Sequence, residues 1–143
     1  MSHIVVEQTI DAPIDRVWAY VAAVDRHVEW MADAETITFL DGQRSGVGTR
    51  MAVLTRIGPL TTTDVMEFTE WEPPTRMAIR HDGLVTGEGA FSLEPIGVAQ
   101  TRFRWEENLT FPTRFGGAAT AWLAAPVLRL VWRRNLKRLA EQF

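Results

Sequence analysis

The feature that most constrains this fold is a series of alternating apolar and polar residues, from about Glu35 to Thr110, broken by short turns. Alternation predicts strands, because successive side chains of a strand point to opposite faces. The breaks contain Asp-Gly, Gly-Pro and Pro-Pro pairs, which favour tight turns. Since short turns join antiparallel neighbours, the segment predicts six strands of one antiparallel sheet. They are 36–40, 49–57, 61–71, 76–81, 85–93 and 101–110.

A further strand and two short helices are predicted before this series. Residues 3–10 alternate as a strand does. Residues 13–23 then carry apolar side chains at helical spacing, with Pro13 at the start and Asp15 in the first turn. A second short helix or turn is expected over 26–31.

The sequence ends in one long helical pattern, predicted over 113–142. Pro126 lies inside it and is expected to kink or break the helix, because proline cannot donate to the backbone ladder. The order of elements predicts an α+β fold, and the length of 143 residues fits a single domain over 1–143.

Composition and charge exclude several classes of protein. The absence of cysteine rules out disulfides, thiolate metal sites and cysteine nucleophiles. Residues 1–112 carry nine basic and 17 acidic groups, so we expect no nucleic-acid partner. Residues 113–143 carry six basic groups and one acidic group, which favours a solvated helix face and leaves open an anionic partner or membrane surface. No segment fits a membrane span or signal peptide, and we expect a cytoplasmic protein.

Several segments together resemble the START-like, or SRPBCC, superfamily, which includes the birch-pollen-allergen fold and the polyketide cyclase/dehydratase-like proteins. They are APIDRVWAYVAAVDRHVEWM, SGVGTR, WEPPTRM, TRFRWEENLTFP and WRRNLKRLAEQF. The resemblance covers about residues 3–141. It implies a helix-grip fold, in which a curved seven-stranded antiparallel sheet wraps a long C-terminal helix and encloses an apolar cavity.

Strand alternation suggests which side chains would line such a cavity. The predicted ligand-binding residues are Met51, Val53, Met77, Ile79, Phe91, Phe103, Trp105, Trp122, Leu123 and Val127. Leu130 and Val131 of the long helix are expected to help close it. For each of these residues, membership of an ordinary packed core is the simpler interpretation.

His81 and Glu107 stand out because alternation places both on apolar faces. A buried carboxylate needs a partner, and a histidine can supply one or act as an acid–base group. The pair is therefore the candidate catalytic site, although bulges at the strand ends could instead turn both side chains to solvent.

The remaining residues of interest, which are two glycines, a histidine and two tryptophans, are interpreted without a catalytic role. Gly87 and Gly89 are interpreted as marks of strand curvature or of a close approach by the helix. His27 is expected on a helix surface, and Trp30 and Trp122 could flank a pocket mouth.

Three functions remain open from the sequence. The favoured one is binding of a hydrophobic small molecule, such as a polyketide, a lipid or an aromatic metabolite. The alternatives are a polyketide cyclase/dehydratase-like enzyme using the same cavity, and a protein- or membrane-interaction module using the basic helix. We expect no metal site or cofactor, because no metal-ligand or dinucleotide motif occurs. We expect the protein to be a monomer or a homodimer.

Overall fold

The computed structural model describes residues 2–113 and 117–143, without the side chains of residues 60 and 117–123. These residues form seven strands, two α-helices and a 3-10 helix (Val24–Glu29). The helices are α1 (Ile14–Ala22) and α2 (Gly117–Ala140). The strands are β1 (Ser2–Ile10), β2 (Ala34–Phe39), β3 (Arg50–Ile57), β4 (Leu60–Glu72), β5 (Arg76–Asp82), β6 (Thr86–Ile96) and β7 (Gln100–Thr110).

The strands form one antiparallel sheet in the order β1-β7-β6-β5-β4-β3-β2. Strands β2 to β7 follow one another as a meander, and β1 pairs with β7 to complete the sheet. The sheet is curved, and register shifts in β2 and β4 mark bulges of the kind that bend a strand. The predicted helix-grip architecture is confirmed.

The alternation of β7 separates the two faces of the sheet. Residues 101, 103, 105, 107 and 109 are all buried, whereas their neighbours are exposed or half-buried. The outward-facing Arg104 instead lies near Glu7 of β1. The inner face therefore collects the residues that can form a core or a site.

Helix α2 covers this inner face unevenly. It packs chiefly on β1, and its C-terminal half buries Trp132, Leu136 and Leu139. Nearer its start, Val127 is 51% exposed. Because β1 and β3–β5 lie on different sides of β7, a helix seated on β1 leaves the inner face of β3–β5 uncovered.

Of the two effects predicted for Pro126, the break is wrong, because α2 continues through this residue from Gly117 to Ala140, and the kink stays a prediction. Proline removes one backbone donor, but the helix is held on the sheet by the buried side chains that follow. Residues 114–116, at the predicted start of this helix, lie outside the described residues. None of the described helices is long and apolar enough to span a membrane.

Candidate functional site

A cavity of about 730 Å³ lies between the sheet and α2, over the strands that the helix leaves uncovered. Its walls come from β3, β4, β5, β6 and β7, and from α2 on the opposite side. Most of the lining side chains are apolar, including Met51, Met66, Ile79 and Leu128. A volume of this size is typical of sites that enclose a small molecule.

The structure brings most of the predicted ligand-binding residues together around this cavity. Those that line it are Met51, Val53, Met77, Ile79, Phe91, Trp105 and Val127. They come from four strands and one helix, so the alternation pattern located the same interior face in each strand. Their role in binding stays a prediction.

Phe103 and Leu130 lie elsewhere. Phe103 is fully buried in the packed core, with its ring 5.0 Å from that of Phe91 and 6.3 Å from that of Trp30. Leu130 is 50% exposed and does not border the cavity. Trp122 and Leu123 lie outside the described side chains.

His81 and Glu107 meet at the cavity wall. Nε2–H of His81 donates to Oε2 of Glu107 at 2.7 Å, and Nε1–H of Trp105 donates to Oε1 at 2.9 Å. The side chain of His81 is 13% exposed and that of Glu107 is 4% exposed. Both border the cavity, so the strand-end bulges that would have turned them to solvent do not occur.

Gly89 in β6 makes this contact possible, and Gly87 allows a close approach of β7. β6 separates β5 from β7, and Gly89 pairs with both Ile79 and Glu107. A Cβ atom on Gly89 would overlap the carboxylate of Glu107, so this carboxylate occupies the space of the missing side chain. Gly87, at φ +139, would place a Cβ atom against the backbone oxygen of Asn108. Gly89 therefore admits a carboxylate and Gly87 admits a neighbouring strand. Of the two interpretations from the sequence, strand curvature stays a prediction, and the nearest atoms at both glycines belong to β7 rather than to α2.

The charge on His81 reflects a balance of opposing effects. Burial lowers the pKa of its imidazole, but the adjacent carboxylate of Glu107 and the hydrogen bond to it raise the pKa more, and Asp64 adds to this effect. The net result is a pKa above the usual value. The protonated ring has two donors, and with Nε2–H held by Glu107, Nδ1–H remains for an occupant of the cavity.

Asp64 is a second buried carboxylate at the cavity wall. Its Oδ1 accepts the backbone N–H of Leu84 at 3.0 Å, and its Oδ2 accepts the hydroxyl of Thr62 at 3.1 Å. Asp64 was not predicted from the sequence, although it lies two residues before Met66 and four before Phe68 on the same face of a strand.

The interpretation of His27 as a surface residue is wrong. His27 is 4% exposed, borders the cavity, and donates Nε2–H to the backbone oxygen of Val21 at 2.6 Å. Burial lowers its pKa to about 4, so the ring is neutral near pH 7. In a 3-10 helix, residues three apart share a face, so Val24 and His27 both point inward. That spacing was the available signal.

Trp30 was expected near a pocket mouth and is instead fully buried. Its ring lies 5.3 Å from His27 and 5.8 Å from Phe91, within an aromatic cluster that continues to Trp105. The cluster borders the cavity through His27, Phe91 and Trp105, whereas Trp30 itself does not border it.

The arrangement can bind an apolar molecule and can offer it a small number of polar contacts. His81 supplies a donor backed by Glu107, which is also the geometry of a general acid held by a carboxylate. Among residues 2–113 and 117–143, no three carboxylate or imidazole side chains are grouped as a metal site would require.

Comparisons with known proteins agree with this architecture. A sequence profile of the family described as "Polyketide cyclase / dehydrase and lipid transport" matches residues 1–143. A comparison with curated protein sequences gives no match.

Several solved structures share the fold. A protein from Thermus thermophilus is 20% identical, with a TM-score of 0.77, and the match covers 97% of this chain and 94% of that one. The Zhui aromatase/cyclase from Streptomyces sp. R1128 is 19% identical, with a TM-score of 0.74 and coverage of 98% and 92%. The di-domain aromatase/cyclase BexL of the BE-7585A biosynthetic pathway is 16% identical, with a TM-score of 0.74. That match covers 99% of this chain and 46% of BexL.

Proposed function

The chain belongs to the polyketide cyclase / dehydrase and lipid transport family, and from this premise we propose that it binds a hydrophobic small molecule in the cavity beneath α2. The candidate ligands are a polyketide, a lipid or an aromatic metabolite. The observation that carries the proposal is an apolar cavity of about 730 Å³ bordered by both the sheet and the helix. Apolar surface of a ligand buried there leaves water, which favours binding at about 25 cal/mol for each Å².

The test places a bulky side chain in the cavity without disturbing the packed core. Val127 lines the cavity and is half-exposed, so Val127→Trp can fill the space between α2 and the sheet. Leu130 is equally exposed on the same helix but does not border the cavity, which makes Leu130→Trp the matched control.

The measurement is the binding of an apolar fluorophore, 8-anilinonaphthalene-1-sulfonamide, followed by its fluorescence. The unaltered protein and Leu130→Trp should bind it, whereas Val127→Trp should lose most of the binding at unchanged thermal stability. Equal binding by both variants would place the ligand outside the cavity and overturn the proposal.

A second candidate function is a cyclase-type reaction in the same cavity, and the buried pair of His81 and Glu107 favours it. In such a reaction, a CH2 group between two carbonyls of a poly-β-ketone loses a proton to solvent water. The resulting enolate carbon attacks a carbonyl carbon of the same molecule and forms a carbon–carbon bond, while the carbonyl π electrons move to the oxygen. His81 would give the Nδ1 proton to the resulting alkoxide oxygen, while Glu107 holds the ring in place. Two members of the same fold described above carry the name aromatase/cyclase, which supports testing the reaction.

Turnover of a poly-β-ketone thioester distinguishes the enzyme from a carrier. A general acid typically contributes about 10²–10⁴-fold to the rate, so His81→Ala and Glu107→Gln should each lower turnover by that order while binding persists. A carrier would show no turnover above the uncatalysed rate, and the same variants would change only its affinity.

A further inference from the structure

The charges at the cavity wall are unbalanced. Among the described residues that line it, the carboxylates are Asp33, Asp64 and Glu107, and the only side chain that can carry a positive charge near pH 7 is His81. The described lining contains no lysine or arginine. The cavity therefore holds more negative than positive charge.

The one cation in this lining is already paired. His81 donates to Glu107, and both oxygens of that carboxylate are engaged by His81 and Trp105. The oxygens of Asp64 accept hydrogen bonds from the backbone of Leu84 and the hydroxyl of Thr62. An incoming carboxylate would leave water and meet this excess negative charge. The remaining donor of His81, its Nδ1–H, belongs to a ring whose charge is already offset by Glu107.

His27 supplies an independent indication of what the cavity accepts. Because a backbone carbonyl can only accept, the contact with Val21 fixes the proton of the neutral ring on Nε2. Nδ1 is then an acceptor, and it has no hydrogen-bond partner among the described residues. His27 borders the cavity, so a ligand there can provide a donor to Nδ1.

The surroundings of His27 favour a flat ligand. Its ring lies 5.8 Å from Phe91, and Phe91 lies 5.3 Å from Trp105. Phe91, Trp105 and His27 all border the cavity, so an aromatic ring at this end would be surrounded by aromatic side chains.

We propose, as a refinement that rests on the ligand-binding function above, that the cavity selects an uncharged aromatic alcohol whose hydroxyl donates to Nδ1 of His27. The same cavity discriminates against a carboxylate of similar size. His27 is a specificity-determining residue in this arrangement, and the wall carboxylates exclude anions.

The experiment compares four naphthalene derivatives at pH 7, using quenching of tryptophan fluorescence: 1-naphthol, 1-methoxynaphthalene, naphthalene and 1-naphthoate. A net hydrogen bond is worth about a fivefold change in affinity, so 1-naphthol should bind about fivefold more tightly than naphthalene or its methyl ether. The anion 1-naphthoate should bind at least about tenfold more weakly than 1-naphthol.

Two variants assign the preference to His27. His27→Phe removes the acceptor and should bring the affinities for 1-naphthol and naphthalene together. His27→Gln keeps a donor for Val21 and an acceptor for the ligand, and should restore part of the difference. Because 1-methoxynaphthalene lacks the hydroxyl proton, its comparison with 1-naphthol tests the same hydrogen bond in the unaltered protein. This comparison does not require either variant to fold.

The outcomes separate this refinement from the function on which it rests. Binding in which 1-naphthoate is tightest, or in which the alcohol and its methyl ether are equal, overturns the refinement and leaves the ligand-binding function intact. Failure of all four compounds to bind, together with failure of the fluorophore used above, overturns both.

Discussion

The two ends of the interior differ although one sheet and one helix form them both. At the packed end, which comprises Trp30, Phe103, Trp132, Leu136 and Leu139, side chains of the helix and sheet fill the space between them. At the cavity end, which comprises the inner face of β3–β5 and residues 124–128 of α2, the same two layers enclose about 730 Å³.

The difference follows from side-chain size and from where the helix lies. Trp105 of β7 stacks on Trp132 of α2, with ring centroids 4.9 Å apart, and this pair joins the two layers at the packed end. Beyond it, the lining consists largely of methionine, valine, isoleucine, threonine, leucine and alanine, and α2 packs on β1 rather than on these strands. A cavity therefore remains between α2 and these strands, because their side chains are smaller and α2 packs on β1.

The pKa values of the two histidines that border the cavity also differ between the two ends. His27 lies against the aromatic packed end, where burial lowers its pKa to about 4. His81 lies among carboxylates, and its pKa is raised by Glu107 despite the opposing effect of burial. The histidine at the packed end is therefore neutral, whereas the histidine at the cavity end favours its charged form.

The largest expected effect is the loss of unfolding free energy when a side chain at the packed end is shortened. Leu136→Ala should lower the free energy of unfolding by about 2–5 kcal/mol, because Leu136 is fully buried and its removal leaves a void. Val127→Ala, on the same helix at the cavity end, should change it by less than about 0.5 kcal/mol. Urea unfolding of both variants measures the difference. Equal losses would show that the cavity end is packed as tightly as the other.

The next effect concerns stability in acid. The pKa of His27 is about 4 in the folded chain and about 6.5 in the unfolded chain, so the unfolded state binds a proton first as the pH falls. This group should lower the free energy of unfolding by about 3 kcal/mol between pH 6.5 and pH 4. His27→Gln should lack this part of the pH dependence, which urea unfolding at a series of pH values measures. Parallel curves for the two proteins over this range would contradict the neutral buried state of His27.

The smallest effect is on the titration of His81. Its pKa should lie above the usual value, so its contribution to stability is complete below the unfolded pKa and is lost as the pH rises through the folded pKa. Glu107→Gln removes the attraction while burial remains, and should move the pKa of His81 below its usual value. Proton NMR of the imidazole ring measures both values. An unchanged pKa in the variant would show that Glu107 does not set the charge at the cavity end.

The order of elements and the inner faces of the strands could be predicted from the sequence. The alternation of β5 and β7 placed His81 and Glu107 on the interior face, because strand geometry depends little on the rest of the molecule. Their contact could not be predicted in the same way, since it depends on the register of β6 and on the space above Gly89.

The positions of His27 and Phe103 were harder to predict from the sequence. His27 lies in a 3-10 helix that follows α1 directly, and its inward direction depends on how that turn docks beneath the sheet. Phe103 is on the predicted inner face but packs against Trp30 and Phe91 instead of bordering the cavity, and strand alternation carries no information about that choice. Tertiary packing, rather than local pattern, decided both cases.

The pairing of β1 with β7 has a consequence for how the molecule reaches its native state. The strand nearest the start of the sequence joins the strand nearest its end, with Ile4 opposite Glu107, so about 100 residues separate the partners. Contacts between residues so distant along the chain slow folding, because the loop must close before the contacts stabilise it. A ribosome would therefore release β1 long before its partner exists, and α2, which packs on β1, is made later still. We expect the meander of β2 to β7 to form first and the helix to seat last, so that the ligand cavity acquires its roof in the final step of folding.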